Sequence, residues 1–437
     1  MKTRLTAVLV LGAGVLLGSL AAGTNFGRSR EAAARSDIRT SALNRPGLMA
    51  GHPGPNHSGG KPCLLNGETG LPTELPEKPP CCPADLRNQV PVAQNVQQVS
   101  LLAAAKQRRA GERSSLSRAE KIVPVTVSNY VRAETDLQFK GYAEKFQAFG
   151  KFAHGRQHYP IDNQVTHSGN RDTIYSFGVF DLGKSPLTVT LPDPQGRYMS
   201  LMLISEDHDI YPAMYAPGTY GFSKELIGTR YIMLGIRTFA DPNDPKDMKK
   251  AHALQDAVNV QQADAGKLVV PHWDEEQVLK LRKAANVLGS SVPDSSRFFG
   301  VKGERSYLEN MMGVAVGWGG LQRRDALYIP VTPANNDGKT PYVLDVPADV
   351  PVDGFWSVTV YNKDRFMVKN KYNAYSFNNV TATKNTDGSI TIHFGGDPKQ
   401  SNFLPIVPGW QYLVRLYRPR KEILDGKWKF PAPKPAQ

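Results

Sequence analysis

The chain of 437 residues carries 53 Lys and Arg against 40 Asp and Glu, a formal net charge of +13, and 40% of its residues are hydrophobic. This composition is that of a globular protein and excludes wholesale disorder, and the length predicts two or three domains. Three cysteines are too few for a disulfide-dense scaffold.

The net charge raises the hypothesis of a nucleic-acid or anionic-membrane partner, which depends on where the charge lies. Residues 1–123 carry 16 Lys and Arg and 8 Asp and Glu, an excess of eight positive charges. Residues 124–437 carry 37 and 32, an excess of only five. Most of the excess therefore lies outside the predicted folded part, and we expect no nucleic-acid partner.

The first 23 residues have the pattern of a signal peptide. Lys2 and Arg4 precede an uncharged run over residues 5–23, and small residues around Ala21 suit cleavage by a signal peptidase. The run is just long enough to span a bilayer if it stays uncleaved, so a membrane anchor is the alternative. Gly and Ala dilute its hydrophobicity and favour cleavage. With either outcome we expect an exported protein, periplasmic or extracellular.

Residues 24–123 are predicted to be a low-complexity, disordered tail. The stretch 45–85 is rich in Gly, Pro, Asn and Glu and has no apolar period on which a core could form. All three cysteines lie in this tail. In an oxidising compartment Cys63 can pair with either Cys81 or Cys82 and leave the other free.

From Val125 the sequence has the texture of a folded domain. Apolar residues at helical spacing predict one amphipathic helix ending by Gly150. Strand-like runs separated by turn residues then predict antiparallel strands at 173–180, 187–191, 198–204 and 231–236. We assign residues 124–240 to an N-terminal β-sandwich domain.

Residues 241–320 are predicted to be a helical segment. Helices are expected to begin at Asp244 and at Asp274, because a capping residue precedes an apolar period at each, and a third helix is expected over residues 307–315. The second helix is expected to end at Gly289. Its expected inward residues are Val278, Leu281, Ala285 and Leu288.

Residues 321–437 are predicted to form a second β domain. The clearest strands are 326–331, 342–346, 355–361, 390–394 and 411–417. Trp356, Val358 and Val360 alternate with Ser357, Thr359 and Tyr361, which predicts a half-buried strand. Short strands with turns between them favour β-sandwiches, so we expect a mainly β fold with helices inserted between two β units.

Several catalytic motifs are missing from the sequence. It contains no Gly-x-Ser-x-Gly elbow, Ser-x-x-Lys, His-Glu-x-x-His or Gly-x-Gly-x-x-Gly. A familiar serine hydrolase, zincin or dinucleotide enzyme is therefore not indicated. The remaining candidates for a functional site are clusters of chemically active side chains.

The first cluster surrounds His208, in the run Glu206-Asp207-His208-Asp209 after an apolar strand. If the strand continues, Glu206 and His208 share one face. A carboxylate beside a histidine orients its tautomer and raises its basicity, as a general base or a metal ligand needs. The alternative is a solvated acidic loop after the strand.

The second cluster is Arg171-Asp172, at the start of a strand whose later positions are apolar. A carboxylate held by an arginine at the mouth of a pocket is one interpretation. A structural ion pair that fixes the start of the strand is the other.

His154, His158 and His167 lie within 14 residues just before this strand. His154 and His158 are four apart, which on a helix would place both on one face for a divalent metal. The glycines nearby and Pro160 argue against a helix there.

The run Gly317-Trp318-Gly319-Gly320 also has two interpretations. It can bring the backbone close to a ligand against the aromatic wall of Trp318. It can equally end a helix and place Trp318 in the core.

The segments 170–176, 180–182 and 191–193 resemble the N-terminal half of a bacterial family catalogued as domain of unknown function 1254. Residues 354–361, 387–389, 414–419 and 425–428 resemble its C-terminal partner, domain of unknown function 1214. The resemblance covers about residues 125–432 and leaves out the tail. It implies an immunoglobulin-like sandwich, a small helical portion and a jelly-roll-like sandwich. Members are mostly exported and uncharacterised, and some carry hydrolase or carboxylesterase labels.

Two hypotheses of function follow. In the first, the protein is an exported hydrolase or metal-assisted enzyme on a small organic substrate, with a site between the sandwiches. Its residues have the following roles: His208 as the base, Glu206 or Asp207 orienting it, and Arg171, Asp172, Tyr175 and Trp318 at the substrate. The first hypothesis requires His208, Asp172 and one of the three clustered histidines to converge within about 6 Å.

In the second hypothesis, the protein is a non-catalytic envelope or ligand-binding protein. Its aromatic strand residues Trp356, Tyr361 and Tyr175 line a cleft for a small-molecule ligand. A homo-oligomer is compatible with either hypothesis, and a membrane partner is expected only if the N-terminal segment stays uncleaved.

Overall fold

The computed structural model describes residues 121–164, 167–292 and 294–436. The predicted signal peptide, the tail and its cysteines lie outside these residues. The described helices are α1 (Tyr130–Lys145), α2 (Lys224–Ile227), α3 (Pro245–Asp256), α4 (Glu275–Ser290), α5 (Tyr307–Gly317) and α6 (Lys421–Leu424).

The first eight strands all precede α4 in the chain: β1 (Ala153–His154), β2 (Thr173–Asp181), β3 (Leu187–Leu191), β4 (Met199–Ser205), β5 (Met214–Tyr215), β6 (Gly218–Phe222), β7 (Tyr231–Phe239) and β8 (Asn259–Gln262). The other eight follow α5: β9 (Ala326–Val331), β10 (Tyr342–Val346), β11 (Trp356–Tyr361), β12 (Ser376–Asn378), β13 (Ile390–Phe394), β14 (Phe403–Leu404), β15 (Gln411–Tyr417) and β16 (Lys434–Pro435).

The N-terminal β unit has two sheets, in the orders β1-β2-β7-β4-β5 and β6-β3-β8. Every residue of β2, β4 and β7 is buried. Aliphatic residues of the larger sheet, such as Leu201 and Leu234, pack on Leu187 and Val189 of the smaller sheet. Both faces of the larger sheet are therefore covered, and its strands are apolar along most of their length.

Helices α1, α4 and α5 cover the other face of the larger sheet. Phe139 of α1 packs edge-on against Trp318 at the end of α5, and both belong to a core with Phe177 and Met202 of the sheet. The three longer inserted helices begin where the sequence predicts. The side chains of Asp244, Asp274 and Ser306 each accept a hydrogen bond from the first turn of α3, α4 and α5.

Two expectations about α4 are wrong. The helix continues through Gly289 to Ser290, and Leu288 is 48% exposed instead of inward. Arg282 takes an inward position because its guanidinium pairs with the buried Glu134 carboxylate of α1 at 2.7 Å. Gly289 stays in the helix and faces α5, where a side chain would meet Val316.

The C-terminal β unit is a sandwich of two four-stranded sheets, in the orders β14-β13-β10-β16 and β12-β11-β15-β9. Its core is formed by residues of both sheets, including Leu344, Ile392, Trp356 and Val414. β11 was expected to be half-buried, but all six of its residues are buried. Its polar face is covered because it packs against the N-terminal β unit, to which Ser357 is hydrogen-bonded.

The mainly β fold with helices between two β units is confirmed. No sheet closes into a barrel in the described part of the chain. The nine predicted strands are present, but strands adjacent in sequence are often not paired: β2 pairs with β7, and β3 lies in the other sheet. None of the helices described is long and apolar enough to cross a membrane.

Candidate functional site

Polar side chains of the C-terminal unit form one face of the sheet β12-β11-β15-β9. Ser357 is the direct cross-strand partner of Asn378 on one side and of Arg415 on the other, and Thr359 is that of Ser376. Directly opposite residues project from the same face of a sheet. This polar face lies against the N-terminal unit. A buried face of a sheet is usually aliphatic.

Asp172 meets this face from the start of β2. Its side chain is almost fully buried, and its Oδ2 accepts a hydrogen bond of 2.6 Å from the Ser357 hydroxyl. Its Oδ1 accepts a longer one of 3.4 Å from Ser376 Oγ. Burial raises the pKa of the Asp172 carboxyl, while the nearby Arg415 charge and the serine hydroxyls lower it. The carboxyl of this N-terminal residue is thus held by side chains of the C-terminal unit.

A directed chain of hydrogen bonds ends at this carboxyl. Arg415 Nη1 donates to Thr359 Oγ1 at 2.9 Å, and the Thr359 hydroxyl donates to Ser376 Oγ at 3.1 Å. The Ser376 hydroxyl then has Asp172 as its acceptor. Because the guanidinium can only donate, the direction of the whole chain is set from Arg415 towards Asp172.

A surface pocket of about 160 Å³ opens onto Asp172 and Ser376. Its lining is mostly polar and comes from both β units, with Arg171, Asp172, Asp241, Asn243, Ser376 and Asn378 among its residues. At its rim the Asn373 amide donates to the Asn243 side-chain oxygen at 3.0 Å, a contact between the two units.

Arg171 lines the same pocket but is not paired with its neighbour in sequence. Its Nη1 donates to the Tyr159 carbonyl at 2.6 Å, and its guanidinium lies 5.3 Å from the centre of the Tyr375 ring. Asp172 is held by serine hydroxyls instead. Arg171 and Asp172 therefore form no ion pair with each other, which both interpretations of the pair assumed, although both side chains line one pocket.

His208 is fully buried at the end of β4. Its Nε2 accepts a hydrogen bond of 3.0 Å from the Gly319 backbone N–H, so its proton lies on Nδ1, which donates to Asn310 Oδ1 at 3.0 Å. Burial, together with the Arg305 charge, lowers the pKa of His208 to about 3. The hydrogen bonds of the two ring nitrogens thus connect the end of β4 to both ends of α5. These contacts are those of a histidine with a structural role.

The carboxylates expected to orient His208 have other partners. Glu206 Oε2 accepts hydrogen bonds from the backbone N–H groups of Arg230 and Tyr231, each of 2.9 Å. Asp207 forms an ion pair with Arg132. The roles first assigned to Glu206, Asp207 and His208 stay predictions, and these contacts give them no geometric support.

The three clustered histidines do not share a partner. His154 Nδ1 is hydrogen-bonded to Ser176 Oγ at 2.8 Å, His158 Nε2 to the Ala240 carbonyl at 3.0 Å, and His167 Nδ1 to the Asp364 carbonyl at 2.8 Å. Burial lowers the pKa of His158 to about 4. Within residues 121–164, 167–292 and 294–436, no group of three or more His, Cys, Asp and Glu side chains is arranged to hold a metal ion.

The predicted aromatic residues are divided among three clusters of the interior. Trp318 ends α5, is 5% exposed and donates to Thr135 Oγ1 at 3.3 Å, as expected of a core residue that ends a helix. Tyr175 belongs to the same core, and its hydroxyl accepts from Asn170 Nδ2 at 2.7 Å. Trp356 belongs to the C-terminal core and Tyr361 to a third cluster.

The sequence did not point to Ser376, Asn378 or Arg415 as site residues. The one usable indication was the alternation along β11, where Ser357 and Thr359 sit between large apolar residues. That pattern was interpreted as a solvent-facing side. Only the packing of the two units makes it the buried wall of a site.

Two family models match the chain in order. Residues 149–262 match the model described as protein of unknown function DUF1254, and residues 332–421 match that of DUF1214. No curated protein matches the chain. The pocket draws on both matched segments, with Arg171 and Asp172 in the first and Ser376 and Asn378 in the second.

The chain is similar to two solved structures. The VPA0106 protein from Vibrio parahaemolyticus has a TM-score of 0.56 at 20% identity, over 71% of this chain and 98% of that chain. An uncharacterised protein from Burkholderia cenocepacia has a TM-score of 0.38 at 14% identity, over 74% of this chain and 94% of that chain. The first likeness concerns the fold alone.

Proposed function

We propose that the pocket between the two β units binds a small, polar organic molecule. The observation that carries the proposal is the almost fully buried Asp172 carboxyl, held by Ser357 and Ser376 at the wall of an open pocket. Buried carboxyls of this kind are enriched at functional sites. The pocket residues mix donors and acceptors, and the Arg171 charge opposes those of Asp172 and Asp241. A neutral molecule with several hydroxyl or amide groups fits this lining best.

Calorimetric titration of the full chain with a panel of monosaccharides, polyols and small amides tests the proposal. Asn243→Ala and Asn373→Ala are suitable variants because both side chains are exposed at the rim, and Ser376→Ala reaches the wall. Losing one good hydrogen bond to a ligand should weaken binding about five- to tenfold. Asn385→Ala, in an exposed turn of the C-terminal unit, is the matched control. Binding by none of the panel, or equal binding by all variants, would contradict the proposal.

A hydrolase is the second candidate, and the hydrogen-bond chain favours it. A serine nucleophile needs an adjacent base, and the Ser376 hydroxyl is directed at the Asp172 carboxyl. The raised pKa makes this carboxyl a better proton acceptor than an ordinary aspartate when it is ionised. In this mechanism Ser376 Oγ attacks the ester carbonyl carbon as Asp172 takes the hydroxyl proton, and the bond to the alcohol breaks as Asp172 returns that proton to the leaving oxygen. Water then hydrolyses the acyl-serine and restores the Ser376 hydroxyl. In the resting state the Thr359 hydroxyl donates to Ser376 Oγ.

An ester, phosphoester and sulfoester panel distinguishes the two candidates. If the serine mechanism is right, Ser376→Ala and Asp172→Asn lose turnover while His208→Gln keeps it. If His208 is the base instead, His208→Gln loses turnover. Ser389→Ala, on an exposed turn, controls for serine removal. A wild-type protein inactive on the whole panel leaves the binding function as the proposal.

Export is also part of the proposed function, and residues 1–23 support it. Fractionation of cells that produce the full chain, with N-terminal sequencing of the product, tests it. A mature chain that begins near residue 24 in the exported fraction is expected. A cytoplasmic product with its first residues intact would contradict export.

A further inference from the structure

Arg237 lies in β7, the middle strand of the larger N-terminal sheet, and is only 5% exposed. Its Nη1 donates to the Met202 sulfur at 3.6 Å, and its guanidinium lies 5.6 Å from the centre of the Tyr175 ring. No carboxylate of the described residues forms an ion pair with it. A buried guanidinium that donates to a sulfur and has no ion-pair partner opposes folding.

Other buried arginines of the described chain are satisfied by oxygen acceptors. Arg282 holds the Glu134 carboxylate, and Arg305 holds Asp209 and a backbone carbonyl. Arg415 donates to Thr359, to Tyr361 and to the Ser168 carbonyl. Arg237 differs from all three, and its five N–H donors meet no oxygen acceptor within the part of the chain that is described.

Two buried hydroxyls lie on the same face of the sheet as the Arg237 side chain. Ser200 is the direct cross-strand partner of Arg237, so the two side chains project to the same side. Tyr198 precedes Ser200 by two residues and projects to that side as well. Tyr198 Oη and Ser200 Oγ are buried and lie near each other, and neither has a hydrogen-bond partner elsewhere among the described residues. Two hydroxyls at the start of one strand and a guanidinium of the next are thus gathered at one place.

The surroundings are aromatic on the side away from the sheet. Phe355 and Tyr417 of the C-terminal unit stack on each other, and Tyr198 packs on both. Tyr328, on the edge strand β9, is 38% exposed. Burial raises the pKa of the Tyr328 phenol and the Arg237 charge lowers it, so this phenol lies near the guanidinium. Part of Tyr328 thus reaches the surface beside the guanidinium.

We propose that Arg237, Tyr198 and Ser200 bind the carboxylate of a small organic acid. A guanidinium presents parallel N–H donors that match the two oxygens of a carboxylate, and the two hydroxyls supply further donors. The apolar body of the acid packs against the aromatic side chains of the C-terminal unit. Tyr328 and Tyr417 lie on the same face of the C-terminal sheet as Arg415 and Ser357, so the two sites adjoin. The anion site uses neither Asp172 nor Ser376 and does not rest on the function proposed for their pocket.

Calorimetric titration of the full chain with sodium benzoate and sodium hexanoate tests the proposal, with benzyl alcohol and hexanol as uncharged counterparts. We expect a carboxylate to bind and its alcohol not to bind. Arg237→Met should weaken binding about ten- to a hundredfold, since it removes a charged hydrogen-bond donor. Tyr198→Phe and Ser200→Ala should each weaken it about fivefold. Ser376→Ala, in the other pocket, should leave the affinity for benzoate and hexanoate unchanged.

The melting temperature without ligand gives a second readout. Removing an unpartnered buried cation should leave it unchanged or raise it in Arg237→Met, whereas a structural arginine would lower it. Benzoate or hexanoate should raise the melting temperature of the wild type only. The proposal is overturned if neither acid binds, or if Arg237→Met binds as tightly as the wild type. Should Arg237→Met fail to fold, unchanged affinity in both Tyr198→Phe and Ser200→Ala would overturn it equally.

Discussion

The Ser357 hydroxyl lies 2.6 Å from Asp172 Oδ2, although the two residues are 185 positions apart in the chain. One stands at the start of a strand of the N-terminal unit and the other on the central polar face of the C-terminal sheet. The contact is buried on both sides. It makes the interface between the units a polar one, and stability and binding are both expected to depend on it.

Arg415 and Asp172 are expected to be coupled in stability. Arg415→Met should lower the free energy of unfolding by about 3–5 kcal/mol, because it leaves the buried carboxyl without its cation and several oxygen acceptors without a donor. Asp172→Asn combined with it should cost less than the sum of the two changes, with a coupling of about 0.5–3 kcal/mol. Urea unfolding of the four proteins measures this coupling. Arg420→Met, which breaks the exposed pair with Asp353, is the control and should change little.

His208 should make the protein less stable in acid. Its pKa falls from 6.5 to about 3 on folding, so the folded state binds fewer protons than the unfolded state between these values. Its contribution is complete above pH 6.5 and is lost as the pH falls, by up to about 1.4 kcal/mol per pH unit. His208→Gln should flatten this dependence in urea titrations between about pH 4 and pH 6. The same slope in wild type and variant would refute the assignment, and the exposed His167→Gln is the control substitution.

Asp136 should act in the opposite direction. Burial raises the pKa of its carboxyl to about 7, and its Oδ1 has no partner among the described residues, while Oδ2 accepts from the Trp273 indole at 2.9 Å. Its contribution is therefore complete below the unfolded value of 3.8 and is lost as the pH rises to about 7. Asp136→Asn keeps an acceptor for Trp273 and removes the titration.

The variant Asp136→Asn should thus be more stable than the wild type at pH 8 by up to about 4 kcal/mol, and the difference should shrink towards pH 4. Urea unfolding at both pH values measures it. Asp162→Asn, at an exposed site, is the matched control. A constant difference across the range would show that Asp136 does not titrate in this window.

Gly289 and Gly141 provide a matched pair of helix glycines. A Cβ on Gly289 would lie 2.5 Å from Val316 Cγ2, so Gly289→Ala should destabilise the protein by about 1–3 kcal/mol through overpacking of α4 on α5. A Cβ on Gly141, in α1, meets no atom within 4 Å, so Gly141→Ala should stabilise it by about 0.5–1 kcal/mol. Adding Val316→Ala should restore part of the loss. Equal effects of the two alanines in thermal unfolding would contradict the packing described.

Local pattern was enough to predict most of the secondary structure. The alternation and length of the apolar runs predicted the nine main strands, and Asp244 and Asp274 mark helix starts because their side chains cap helical N–H groups in the residues that follow. These are interactions within a few residues of the chain, and the sequence displays them directly. Short edge strands such as β1 and β5 were not predicted, because a strand of two residues is too short to show an alternation of apolar and polar residues.

The candidate site was only partly visible in the sequence. Arg171 and Asp172 were recognised as a pair of interest, and both line the pocket. His208 looked like a base because carboxylates flank it in sequence, but its ring nitrogens reach Asn310 and Gly319, more than a hundred residues away. That prediction assumed that residues adjacent in sequence have side chains in contact. The direction of the backbone does not ensure such contacts.

A mainly β protein with an inserted helical segment could be predicted from the amino-acid pattern, since burial on one face of a strand or helix leaves a periodic arrangement of apolar residues. Which polar residues share a site depends on how the folded units pack. Ser357 and Ser376 reach Asp172 because two distant units pack face to face, and among the described residues no carboxylate forms an ion pair with Arg237. Such contacts join residues of high sequence separation, and no local pattern records whether a polar strand face meets water or another sheet.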